Sequence, residues 1–281
     1  MTSVCVVTDS IACVPADLAA QYGIHVVPLR VIMDGHCYRD GVDLTADEFY
    51  RRFLETDDLP TTSQPSAGEF LQVYARLIQQ AEQIVSIHAA ASLTGGYNAA
   101  LVARGLLEDG RIHVVDSQTA GIAQGLVVLA AARAAQAGAG AEAVVDQAQA
   151  VAGRVQMFGF LDTLKYVRRG GRLNRVLTLA DTLLHVRPLF RIGQGQIGLL
   201  GSARTTHQAG ERLLQAVQEH VGGRPVHVGI SHAAQPDAAQ RMAEWARTNL
   251  SCVELVEAPF TPAMGVHTGP GVLAVAFYVE G

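Results

Sequence analysis

Four hydroxyls crowd six residues at Thr61-Thr62-Ser63-Gln64-Pro65-Ser66. Ser66 and Glu69 have the spacing of a capping box, so a helix should begin at about residue 66. Hydroxyls just ahead of a helix N-terminus are neutral donors beside a partial positive charge, a setting for a carboxylate or a phosphate. Taken alone, the same residues would serve equally to cap a helix and fill a turn. Three further polar stretches, Thr8-Asp9-Ser10, Ser92-Leu93-Thr94-Gly95-Gly96 and Asp116-Ser117, each follow a short β-branched run. Ligands of open parallel sheets bind beyond the carboxyl ends of the strands, so these groups could converge on one crevice with 61–66. The glycines after Thr94 would let an acidic group approach backbone N–H donors. Each stretch by itself is also an ordinary N-cap.

His267 stands ahead of Gly269-Pro270-Gly271, where rigid backbone would hold a hydrogen-bond donor or a positive charge; a surface-loop histidine is the plain alternative. Arg172 closes the turn Arg168-Arg169-Gly170-Gly171-Arg172, and Arg204 precedes Thr205-Thr206. Either arginine suits an anion or a partner protein, or simply a solvated face. The chain has no Gly-x-Ser-x-Gly elbow, P-loop, helical His-Glu-x-x-His or Cys-x-x-Cys pair. The polar groups read as ligands for an anion more than as a nucleophile with its base, and no metal or cofactor is expected.

Short strands expected at 3–8, 25–33, 84–88 and 111–116 alternate with helices at 15–22, 45–55, 66–80, from 96, 119–137 and 141–155. This βαβ rhythm implies a parallel sheet covered by helices, with Asp34-Gly35 as a hairpin turn. Past 155 the pattern changes. Strands are expected at 157–162, 187–192, 196–201, 226–231, 253–257 and 272–278, and helices at 206–221 and 237–250. Two of those strands meet about Gly193-Gln194-Gly195, which predicts a hairpin and a mixed sheet. The expected organisation is two α/β domains, 1–160 and 161–281, with the boundary between 155 and 165.

The 281 residues are 49% hydrophobic with a net charge of −5, enough for a substantial core and without the basic footprint of a nucleic-acid binder. Lys165 is the one lysine beside twenty arginines, so an arginine here is not automatically a bidentate ligand. Cys5, Cys13, Cys37 and Cys252 have neither disulfide-framework nor zinc spacing. The N-terminus lacks a basic n-region and reads as a first strand, and no apolar run approaches the roughly 20 residues of a bilayer span. A soluble cytoplasmic protein is expected.

Further motifs follow one another along the chain: Val27-Pro28-Leu29, Asp40-Gly41, Asp162-Thr163-Leu164, Arg187-Pro188 and Arg204-Thr205. Together with the hydroxyl loop, the strand-end groups, Gly170-Gly171-Arg172 and the His267 turn, they resemble the DegV family of bacterial fatty-acid-binding proteins over nearly the whole length. The resemblance implies a Rossmann-like N-terminal domain, a mixed-sheet C-terminal domain and a buried long-chain fatty acid. It further implies a lipid-binding subunit without catalytic machinery of its own. Such a subunit presents the carboxylate to a fatty acid kinase catalytic subunit, and the acyl phosphate feeds phospholipid synthesis. Thr62, Ser63, Thr94, Gly95, His267 and Arg172 are then the expected ligand-binding residues and Arg204 the residue for presentation to the partner. Transient contact with a membrane surface is compatible with that role. At Thr94 and Gly96 this chain departs from the family's usual Ser-Gly-Thr, keeping the first hydroxyl and losing the second. A sixteen-carbon tail carries a gross transfer term of about 12 kcal/mol at ~0.8 per methylene, so neutral hydroxyls suffice at its head. The alternatives are a phosphotransfer enzyme of related fold and a lipid-sensing regulator.

Overall fold

The computed structural model describes residues 2–55, 59–169 and 186–280. Strands β1 (Thr2–Asp9), β2 (His25–Val27), β6 (Ala81–His88) and β7 (Ile112–Asp116) form a parallel sheet in the order β2-β1-β6-β7. Both faces of such a sheet are buried, so its strands carry apolar residues continuously. Cys5 and Val7 point toward α3 (Ala67–Leu77) and α4 (Gly96–Leu107), while Val4 and Val6 join the core on the opposite face.

Strands β8 (Gln156–Phe160), β9 (Arg187–Gly193), β10 (Gln196–Ala203), β11 (Val226–His232), β12 (Cys252–Pro259) and β13 (Leu273–Val279) make a second, mixed sheet in the order β10-β9-β8-β13-β11-β12. Its pairings are antiparallel except for β11 with β12. Helices α8 (Thr206–Val221) and α9 (Pro236–Asn249) bury Leu213, Val217 and Met242 against its outer face. Helix α5 (Ile122–Gln136) lies on the inner face, between the two sheets, with α6 (Ala141–Ala152) beside it. Residues 122–132 are all buried, as a helix that is apolar all round requires. A Cβ at Gly229 of β11 would stand 2.7 Å from Ile122 Cγ1, so the bare strand lets α5 pack closely.

A small antiparallel sheet, β4-β3-β5, adds β3 (Arg30–Met33), β4 (His36–Arg39) and β5 (Thr61–Ser63). The strand expected over 25–33 is therefore two. Pro28 has no N–H to continue the ladder, so β2 pairs with β1 and the chain turns before β3 joins a different sheet. The stretch 61–63, read as a loop, is an edge strand whose Thr62 pairs with Val31. Its polar side chains hid it, since strand signals rest on β-branched and apolar alternation. His267 lies in a helix, α10 (Pro262–Thr268), only two turns long and opened by a proline, which local signals gave no reason to expect. The capping box at Ser66 forms as its spacing implies, with Ser66 accepting from Glu69 N and donating its own N–H to Glu69 Oε2.

Candidate functional site

A cavity of about 360 Å³ lies where the three sheets meet. Most of its wall is apolar. Met157, Ile192 and Ile197 stand on one rung across β8, β9 and β10, and Phe190, Leu161 and Phe260 continue the lining. The β9–β10 hairpin that carries this wall turns through Gln194 and Gly195, both at positive φ. Its tip is tied to the parallel sheet: Gly195 N donates to Gln118 O at 2.7 Å, and Ser92 Oγ donates to Gly195 O at 2.7 Å.

The polar lining comes from three segments far apart in sequence. Thr62, Ser63 and Gln64 belong to β5 and its exit, Thr94 to the loop before α4, and His267 and Thr268 to α10. Thr62 Oγ1 and His267 Nε2 are 2.7 Å apart, so the hydroxyl loop and the late histidine are in direct hydrogen bond. Gln64 packs on Gly95, which brings the Thr62 and Thr94 segments into contact. Among the described residues lining the cavity, His267 is the only one able to carry a charge.

Helix α10 is held by groups beneath the cavity. Asp40 Oδ1 accepts from Ala263 N at 3.0 Å, and Asp40 Oδ2 accepts from Ser10 Oγ at 2.6 Å. Burial pushes the Asp40 carboxyl up to about 6, against the pull of the Ser10 and Ala263 hydrogen bonds. Helix α2 (Ala46–Glu55) braces α10 from the side, with Tyr50 OH donating to Phe260 O at 3.2 Å. At its C-terminus, Gly269 adopts φ +75 and leaves its Cα face to the ring of Tyr166 in α7 (Lys165–Arg169). The Asp162 carboxylate is paired with Arg187 Nε at 2.8 Å, and Arg187 Nη1 donates to Arg204 O at 3.0 Å, which links the Asp162, Arg187 and Arg204 motifs. Gly271 packs over the Asp162 side chain.

The residues Thr8, Asp9 and Ser10, read as crevice ligands, do not line the cavity. They are buried and engaged with the scaffold. Asp9 Oδ2 meets His88 Nδ1 at 2.8 Å, His88 Nε2 meets Ser86 Oγ at 2.7 Å, and Tyr74 OH donates to Ser86 Oγ at 2.8 Å. Ser86 already receives the tyrosine proton, so its own hydroxyl serves His88 Nε2, and the Nδ1–H donates to Asp9. Gln124 Nε2 and Ile11 N donate to Asp9 Oδ1 at 3.2 and 3.1 Å. Asp116 likewise accepts from Gln118 N and Ala91 N rather than facing the cavity.

Of the residues singled out in the sequence, Thr62, Ser63, Thr94 and His267 line one cavity, and Gly95 stands directly behind it under Gln64. Arg204 is exposed at the end of β10, away from the lining, its backbone N–H donating to Gln208 Oε1. Arg172 and its Gly-Gly turn lie outside the described residues. Gln64, Thr268 and the apolar walls were not read from the sequence. Gln64 sat inside the hydroxyl stretch as an interruption, and the walls are assembled by strand register, which leaves no local signal. Among the described residues, no helix is long and apolar enough to cross a membrane, and no group of three or more His, Cys, Asp or Glu side chains could hold a metal ion.

A family model for DegV, described as an uncharacterised protein family, matches residues 3–280. A DegV domain-containing protein of Streptomyces coelicolor is 33% identical over 274 residues, 97% of either chain. A DegV family protein from Thermus thermophilus, solved for its fatty acid binding, superposes with a TM-score of 0.92 at 29% identity, covering 99% of this chain and 100% of that one. A stearic acid-binding protein from Eubacterium ventriosum superposes with a TM-score of 0.89 at 26% identity, covering 98% and 97%.

Proposed function

The chain belongs to the DegV family, and on that premise we propose that it binds a long-chain fatty acid and presents the carboxylate to a separate kinase subunit for acyl phosphate formation. The observation that carries this reading is the cavity, apolar over most of its wall and polar where Thr62, Thr94 and His267 gather. An acyl tail gains most from such a wall, because each buried methylene contributes about 0.8 kcal/mol. Hydroxyls and an imidazole hold a carboxylate by hydrogen bonds. That leaves its oxygen free to attack a phosphoryl group, as a tight ion pair would not. Solved relatives named for fatty acid or stearic acid binding support the same ligand class.

In this reading Thr62, Ser63, Thr94, Gly95 and His267 form the head-group end; Arg172, expected to bind the ligand with them, lies outside the described residues. The protein is a binding subunit, and the phosphoryl donor belongs to the partner. Arg204 serves the partner: its guanidinium is exposed, and among the described residues it makes no side-chain hydrogen bond or ion pair. Organic extraction and mass spectrometry of the purified protein test the ligand. The expected result is one long-chain fatty acid in roughly equimolar amount, and a cavity holding only water or a sugar phosphate overturns the proposal. Mixing the loaded protein with ATP and the catalytic subunit of a bacterial fatty acid kinase tests presentation, with acyl phosphate as the expected product.

A further inference from the structure

We propose that Gln64 is a head-group residue, its side-chain amide donating a hydrogen bond to an acidic oxygen at the cavity mouth. This rests on the fatty-acid reading and adds a polar partner to it. Gln64 lines the cavity and is exposed at its rim. Among the described residues its amide makes no hydrogen bond within the protein, so both N–H groups are available.

The amide is not loose. A Cβ at Gly95 would stand 2.7 Å from Gln64 Cδ and closer still to both amide heteroatoms. Gly95 has φ −89 and ψ 4, the negative-φ conformation that non-glycine residues adopt in type I turns, so its backbone does not demand glycine. It also occupies the N-cap of α4 and forms no side-chain cap, although serine or aspartate would stabilise the helix better there. What the missing side chain provides is a seat for the Gln64 amide. The backbone of Gln64 is fixed from both sides. Pro65 confines it to extended geometry, Ser63 pairs with Arg30, and Arg30 holds Glu69 of the Ser66 capping box at 2.5 Å. Gln64 thus bridges the segment of Thr62 to the loop of Thr94, and all three residues line the same cavity.

Gln64→Glu keeps the shape and the seat but replaces the N–H donor with an oxygen that is ionised at neutral pH. Delipidated wild type and variant are titrated with palmitic acid and with 1-hexadecanol. The expected result is a loss of about tenfold or more in palmitic acid affinity, with hexadecanol held within about twofold. Unchanged palmitic acid binding, or equal weakening of both ligands, overturns the inference. Gly95→Ala should displace the amide and cause the same acid-selective loss. Because the two residues act through one contact, Gln64→Ala combined with Gly95→Ala should be no weaker than Gln64→Ala alone, and additive losses overturn the seat. If the wild type binds neither ligand, the fatty-acid reading falls as well; if it binds both and Gln64→Glu fails to discriminate, only this inference falls.

Discussion

Two polar clusters lie on either side of the Gly95-Gly96 turn, Gln64 against Gly95 and Asp9 against Gly96, and they are built from similar kinds of residue. In the first, Asp9, His88, Ser86 and Tyr74 are buried, and each polar group has its partner inside the protein. In the second, Thr62, Gln64, Thr94 and His267 face a cavity, with Thr62 Oγ1 and His267 Nε2 in hydrogen bond. The first cluster fixes the scaffold because nothing in it is left to offer. The second can take a ligand because its side chains line an open cavity instead of a closed core. Residue type does not tell them apart. Closure of the hydrogen-bond network is what separates framework from site.

That contrast can be broken most sharply at His88. His88→Ala leaves the Asp9 carboxylate and the Ser86 hydroxyl short of a partner in a dry core, and stability should fall by about 3–5 kcal/mol in denaturant titrations. A loss under 1 kcal/mol would mean that the buried chain is not a framework. Asp40 should give the next largest effect, as a pH dependence. Its folded-state carboxyl titrates at about 6, above the ordinary value of 3.8. Between those values the folded protein keeps a proton that the unfolded chain has lost, so stability should fall as pH rises through the window and level off above it. The loss amounts to up to about 3 kcal/mol, and the difference between wild type and Asp40→Asn across pH isolates it. A difference that stays flat from pH 4 to pH 6 would contradict the buried assignment.

The mouth should respond in the opposite sense. Thr62→Val removes a hydroxyl but keeps the volume of the side chain. Melting should change little, while fatty acid affinity falls by about tenfold, the worth of one hydrogen bond. Loss of stability without loss of affinity would move Thr62 into the framework cluster. Arg204→Ala should have the smallest effect on the isolated protein. Fatty acid binding and thermal stability should both be unchanged, while acyl phosphate formation with the kinase subunit drops sharply. Equal losses in binding and phosphorylation would place Arg204 at the cavity after all.

Local signals foretold the elements well where a cap or a turn marks them. Helix α8 runs over 206–221 as expected, because Thr205 accepts from Gln208 N at one end and Gly222 turns left-handed at the other. The Gln194-Gly195 hairpin and the Ser66 box are legible for the same reason. Where an element depends on a distant partner, the sequence says less. Strand β5 exists because β3 offers it an edge, and α10 is a seven-residue helix that Asp40, 223 positions away from Ala263, holds in place. At the site, Thr62, Thr94 and His267 stood out through their motifs. The strand-end Asp9 stood out as strongly and belongs to the framework. No spacing reveals that His88 and Gln124 already occupy it.

Helix α5 has a consequence for the way the molecule comes apart. One flank covers β1 and the other covers β11, so peeling either sheet away bares a side of the same helix. Neither half can open while the other stays intact without exposing Ile122, Leu126 and their neighbours to water. The amides of 122–132 should therefore be among the slowest in the chain to exchange with deuterium, released only when the entire fold opens. Denaturation should follow a single cooperative step seen alike by probes placed in either sheet. A ligand resting on β8 and β9 would then slow exchange in the parallel sheet as well, although it need not touch most of it.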